Sequence, residues 1–285
     1  LIDSFAREAF RRREMDPVFL RKLHDLYNQG RKSELEVEQA LVDPLAVVLA
    51  SPGFLYLSEA EEADSKRQPL TLRELAVRLS YFLWSAPPDE ALYQAAEKGI
   101  LKNSAELNRQ VDRMLADPKS EAFYHSFMSQ WFELHRFDDI AVNPKDYLMF
   151  DEQVRYSARE EPIRFFEHLV KKNLSLANLI DSDFAMLDPL LAHFYGIQGV
   201  GGQGFRKVNL PPDSLRGGLI ATTAFMTMGS TGDRTSPIIR GTLVLDKFLH
   251  DPSADPPPNV PELTDASKEP LPVREMIELH QSKAQ

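Results

Sequence analysis

Helix punctuation, repeated along almost the whole chain, most constrains what this sequence can fold into. A capping residue stands repeatedly before an apolar stripe at 3.6-residue spacing, which satisfies free helix amides and gives each helix one face to bury. The most regular case is Thr71 with Glu74, a capping-box pair ahead of Leu72, Leu75, Ala76, Leu79, Phe82 and Leu83. It predicts a buried helix, with Phe82 and Trp84 anchoring the packing. Asp16-Pro17 opens another, which Gly30 should end, and Ser33 with Glu36 opens a third that Pro44 should kink. Pro88-Asp89, Ser104 and Asp117-Pro118 mark further starts. The last precedes Phe123, Phe127, Met128, Trp131 and Phe132, whose helical spacing reads as hydrophobic core rather than as a cofactor box.

The pattern is helical again from Asp151 to Lys172, where Pro162 should bend or split the element. Asp188-Pro189 opens a short helix that stops at Gly196, and helices are expected over 214–228, 236–250 and 272–282. No period-2 run is long enough to define a strand, except that residues 205–210 fit one short edge segment. The prolines of 251–272, Pro256-Pro257-Pro258 among them, fit an extended arm. The expected fold is therefore all-α, a multi-helix orthogonal or bundle-like array of roughly nine to twelve helices with a proline-rich C-terminal arm. Its organisation reads as an N-terminal helical unit over 1–65, a main helical domain over 66–250, and an arm with a terminal helix over 251–285.

Composition excludes several functions. The 285 residues carry 43 acidic and 33 basic side chains, a formal charge of −10 that disfavours nucleic-acid binding, which needs a basic face to displace counterions. There is no cysteine, so disulfides, zinc ribbons, thiol nucleophiles and thioether-linked haem are absent from this sequence. No apolar run approaches the ~18 residues of a membrane span. The sequence opens without Met in what reads as mid-helix, as expected of a segment of a longer chain.

Short motifs point in several directions. Gly199-Val200-Gly201-Gly202-Gln203-Gly204 matches a dinucleotide fingerprint by letter, but a helix end precedes it and no helix follows, so it reads as a surface loop. Gly229-Ser230-Thr231-Gly232 lacks the strand that feeds a nucleophile elbow. Glu121 with His125 and Asp246 with His250 share helix faces and read as surface ion pairs, with no metal site expected. Paired carboxylates for acid/base hydrolysis are represented by Glu160-Glu161 beside Pro162, adjacent glutamates that point in different directions on a helix, and by Asp181 and Asp183 around Ser182. The strongest constellation is Arg234-Thr235-Ser236-Pro237 with Arg240. There Ser236 caps a helix start whose free amides and two arginines suit an anion such as a carboxylate, sulfate or haem propionate, and Arg216 and His193 are candidates for the same region.

Several stretches occur together in order. They are Phe5-Ala6-Arg7-Glu8-Ala9-Phe10-Arg11-Arg12, Arg78-Leu79-Ser80-Tyr81-Phe82-Leu83-Trp84-Ser85, Arg113-Met114-Leu115-Ala116-Asp117-Pro118, Leu191-Ala192-His193-Phe194-Tyr195-Gly196, Arg216-Gly217-Gly218-Leu219 and Arg234 to Gly241, followed by Pro256 to Pro261. Over nearly the whole chain they resemble the helical region of the large multidomain planctomycete-type cytochrome c domain proteins. The resemblance implies export from the cytoplasm and a Cys-x-x-Cys-His haem motif shortly after a helix like Glu275 to His280, so a c-type haem would belong to the full-length protein and not to this chain. It supplies no catalytic residues. The reading that follows is a structural and binding module that packs against a downstream haem domain. A hydrolase acting on polysaccharide or another polymer, and a partner-binding helical scaffold, remain open alternatives.

Overall fold

The computed structural model describes residues 1–57 and 69–252, together with Arg274, Glu275 and Glu278. The expected proline-rich arm and nearly all of the helix over 272–282 lie outside the described residues. Within them the chain is mostly helical, with thirteen α-helices and one two-stranded sheet. It divides into two compact units, Leu1–Ser120 and Glu121–Gln285.

The first unit contains α1 (Ile2–Ala9), α2 (Pro17–Lys32), α3 (Val37–Ala50), α4 (Pro52–Leu55), α5 (Leu72–Trp84), α6 (Glu90–Glu97) and α7 (Ser104–Ala116). Ile2, Ala6, Leu23 and Val48 form a core between α1, α2 and α3. Arg11 is only 8% exposed, and its guanidinium donates to Tyr81 Oη and to the carbonyls of Gly53 and Phe54, tying the ends of α1 and α4 to α5. Asp16 caps α2 through the Val18 amide as expected. Gly30 does not end that helix, which runs on to Lys32. A Cβ at Gly30 would lie 3.1 Å from that of Ala40, so the missing side chain serves the close approach of α2 and α3. Ser33 ends α2 instead of capping α3, which starts after Glu36 with no side-chain cap.

The capping box of Thr71 and Glu74 is complete. The face that α5 buries, however, is Ala76, Val77, Ser80, Leu83 and Trp84, and Phe82 is 60% exposed. The Ser80 hydroxyl donates to the Ala86 carbonyl, and Trp84 anchors this face by donating Nε1–H to the Met114 carbonyl at 2.9 Å. Asn103, one residue before the expected start, caps α7.

The second unit contains α8 (Glu121–Trp131), α9 (Leu134–Asp139), α10 (Glu152–Lys171), β1 (Phe184–Leu187), α11 (Pro189–Phe194), β2 (Arg206–Asn209), α12 (Thr223–Met228) and α13 (Pro237–Leu249). Its core is aromatic: Phe123 meets Phe166 at 5.8 Å and Phe132 meets Phe225 and Phe248 at about 6 Å, whereas Phe127, expected in the core, is 36% exposed and stacks on Phe166 from the surface at 4.9 Å. Helix α10 passes Pro162 without splitting, because Ala158, Ile163, Phe165 and Phe166 on both sides of it are buried and hold the helix together. Strand β1 pairs antiparallel with β2, Phe184 opposite Asn209 and Leu187 opposite Arg206. All four residues of β1 are buried, so it shows none of the alternation by which a strand is recognised.

The helix expected over 214–228 is shorter than its pattern. Only a 3-10 turn at Leu219–Ala221 and α12 form, because Gly217 and Gly218 take φ of +147° and +68°. A Cβ there would lie 2.3 Å from the Ser182 carbonyl oxygen and 2.5 Å from that of Ile180, so this segment must run as bare backbone against 180–182. Among the described residues no helix is long and apolar enough to cross a membrane.

Candidate functional site

The site starts from one residue out of keeping with its surroundings. Val154, Ala158, Glu161 and Phe165 follow each other at helical spacing on the buried face of α10, and Glu161 is a carboxylate 3% exposed within that stripe. A charge so placed requires hydrogen bonds. The Tyr195 hydroxyl donates to Glu161 at 2.5 Å and the Thr223 amide at 3.3 Å. Both donors come from helix ends. Tyr195 follows α11 as its C-terminal cap, and Thr223 is the first residue of α12, where amides have no partner within the helix. The Thr223 amide and hydroxyl also donate to the Tyr195 oxygen, at 3.0 and 2.9 Å, which leaves the phenol proton directed at the carboxylate.

Arg216 completes the assembly. Its guanidinium lies over the Tyr195 ring, 3.5 Å from the centroid, with a 3.4 Å hydrogen bond to the Ala221 carbonyl. Burial pushes the Glu161 carboxyl up to about 7, against the opposing pull of Tyr195, Thr223 and Arg216, while the charge of Asp188 adds to the rise. Burial, then the neighbouring Glu161 charge, holds the Tyr195 phenol well above its ordinary value. Near neutral pH the tyrosine is thus a fixed donor and the glutamate the group that changes charge.

Above Tyr195 opens a groove of about 940 Å³. Tyr147, Phe150, Phe194 and Tyr195 give it aromatic walls, Ser214, Thr227, Ser230 and Thr235 line it with hydroxyls, and Arg216 and Arg240 supply positive charge, with Asp213 also in the lining. The turn 229–236 shapes one wall: Ser230 and Thr235 form a bridge, and Gly229 lets the backbone pass Arg240. Arg240 donates to the Thr235 hydroxyl, while its buried Nε has no hydrogen-bond partner. Among the described residues neither Arg216 nor Arg240 forms an ion pair with a carboxylate. Arg164, by contrast, pairs with Glu121, Glu160 and Glu167.

The structure therefore brings Arg216, Thr235 and Arg240 to one groove. Ser236 caps α13 through the Ile239 amide, as its sequence position predicts, and Arg234 and His193 are exposed outside the lining. Glu160 is buried on α10 with different partners from Glu161, Arg164 at 3.1 Å and His125 at 3.6 Å. Asp181 and Asp183 are exposed, and Ser182 between them bonds Phe184 where β1 begins. His125 also lies 3.7 Å from Glu121, while Asp246 pairs with Lys247 and His250 caps α13 in a left-handed conformation. No cluster of three or more His, Asp or Glu among the described residues could hold a metal ion. The glycine-rich segment is a surface loop, folded onto Arg206 through the Gln203 and Gly204 carbonyls. The sequence offered Glu161 only as the neighbour of Glu160 in a carboxylate pair, and it gave Tyr195 and Thr223 no role. The signal for Glu161 was its place on an apolar stripe.

Three family models cover most of the chain, each described as a protein of unknown function: PSD5 (DUF1595) over residues 1–59, PSD4 (DUF1592) over 70–197 and PSCyt3 (DUF1588) over 216–285. The chain belongs to the planctomycete cytochrome c-type domain family. None of the curated proteins and none of the solved structures matches it. The groove is built across two of these models. Glu161 and Tyr195 lie in the region of PSD4 and Arg216 and Arg240 in that of PSCyt3, so residues of both regions meet at one candidate site within the second unit.

Proposed function

We propose that this chain is a helical binding module of an exported c-type cytochrome-containing protein, and that the groove over Tyr195 receives an anionic group of a downstream haem domain. The observation that carries this reading is the groove itself, with two guanidinium groups that form no carboxylate pair among the described residues, set among aromatic walls. Such a lining suits an acid on an apolar body, a haem propionate included. The sequence has no cysteine, so this chain does not itself attach a c-type haem, and its contribution would be to pack against the domain that does. The polymer-hydrolase reading has less behind it, since Glu160 is bound to Arg164 and Asp181 and Asp183 stand on the surface.

The test is the absorption spectrum of the full-length protein produced with haem maturation, oxidised and dithionite-reduced, alongside Arg240→Ala. The expected result is a covalent haem whose spectrum or midpoint potential shifts in the variant. Absence of haem, or a haem indifferent to Arg240 and Arg216, overturns the reading.

A further inference from the structure

The groove and the buried glutamate behind it are joined by one side chain. Arg216 lines the groove and also lies on Tyr195, whose hydroxyl is bonded to Glu161. We infer that the groove is a proton-linked carboxylate site: Arg216 and Arg240 hold the carboxylate of a ligand with a flat apolar body, and Glu161 takes up a proton as that ligand binds. The inference rests on the groove being a binding site and adds its ligand class and its control.

The argument is electrostatic. Arg216 has no carboxylate within ion-pairing distance among the described residues, and its charge helps hold Glu161 ionised. An anion seated at Arg216 offsets that charge and adds its own repulsion, so the ionised glutamate loses its support from the groove side. The other groups around Glu161 do not replace that support. Tyr195 on α11 and Thr223 on α12 are neutral donors, and Asp188, held by the Ser157 hydroxyl and the Leu191 amide, is a further negative charge. A proton on Glu161 restores the balance. The carboxyl already sits at about 7, so the transfer falls in the neutral range, where a ligand carboxylate stays fully ionised.

Linkage fixes the sign. Bound protein holds more protons than free protein, so affinity is highest on the acid side of neutrality and falls as pH rises. A one-unit rise of the Glu161 value on binding corresponds to about a tenfold loss of affinity between about pH 5.5 and 8.5.

The experiment is calorimetric titration of the full-length protein with 1-naphthoate in buffers of different ionisation enthalpy. The expected result is uptake of a fraction of a proton near neutrality, affinity falling about tenfold toward pH 8.5, and loss of binding in Arg240→Ala. Glu161→Gln should bind with little dependence on pH, while the proton count on the wild type tests the link without any variant. Binding with no proton uptake and a flat pH profile overturns the linkage and leaves the groove reading intact. Failure to bind any carboxylate overturns both. A haem propionate and a free aromatic acid share this chemistry: weaker naphthoate binding in protein made with haem maturation assigns the site to the haem, and equal binding assigns it to a free acid.

Discussion

The hydroxyl of Tyr195 lies 2.5 Å from the buried carboxylate of Glu161, joining the end of α11 to the middle of α10 beneath the groove. Because the same oxygen accepts from the amide and hydroxyl of Thr223, three helices meet at one phenol.

The first consequence is a pH dependence of stability. Glu161 rises from 4.5 to about 7 on folding, so between these values the unfolded chain is ionised where the native one is protonated. The native state then binds more protons, and stability falls as pH rises from about 4.5 to 7 and levels off above. The span corresponds to about 3 kcal/mol for a fully buried group. Urea unfolding of wild type and Glu161→Gln across this range should show the slope in the first and not in the second.

Tyr195→Phe removes the proton donor to that carboxylate. A loss of about 1–3 kcal/mol is expected, larger at pH 8 than at pH 5 because the charged acceptor needs the bond more. Equal losses at the two pH values would mean that the bond does not discriminate between the charge states of Glu161.

Gly232 has φ +92°, and a Cβ there would stand 2.1 Å from the Ala141 carbonyl oxygen. Gly232→Ala should cost more than the ~1–3 kcal/mol of backbone strain alone, because backbone must also shift. Gly201→Ala, with nothing within 4 Å, should stay within about 0.5 kcal/mol of wild type. Thermal melts of the two variants check the contrast.

The two capping sequences make a matched pair. Thr71→Ala should cost about 1 kcal/mol, since its oxygen accepts from the Glu74 amide at 3.2 Å. Ser33→Ala should be near neutral, because that side chain caps no helix. Equal losses measured by denaturant unfolding would contradict the assignment of the α3 start.

The sequence by itself determined the elements whose causes are local. The capping box at Thr71, the cap and proline at Asp16-Pro17, the start at Asp188-Pro189 and the cap at Ser236 act within four residues, and the helices begin where they predict. Arg216, Thr235 and Arg240 were also visible, as charge and hydroxyl beside a helix start. Only the tertiary structure decided what depends on distant neighbours. Gly30 became a packing contact because Ala40 faces it, residues 216–218 stayed out of helix because the carbonyls of 180–182 press on them, and β1 formed because β2 lies beside it. Glu161 became the centre of the site for the same reason. Its place on an apolar stripe was visible in the chain, but its partners were not, because they lie 34 residues away at Tyr195 and 62 away at Thr223 until folding brings them together.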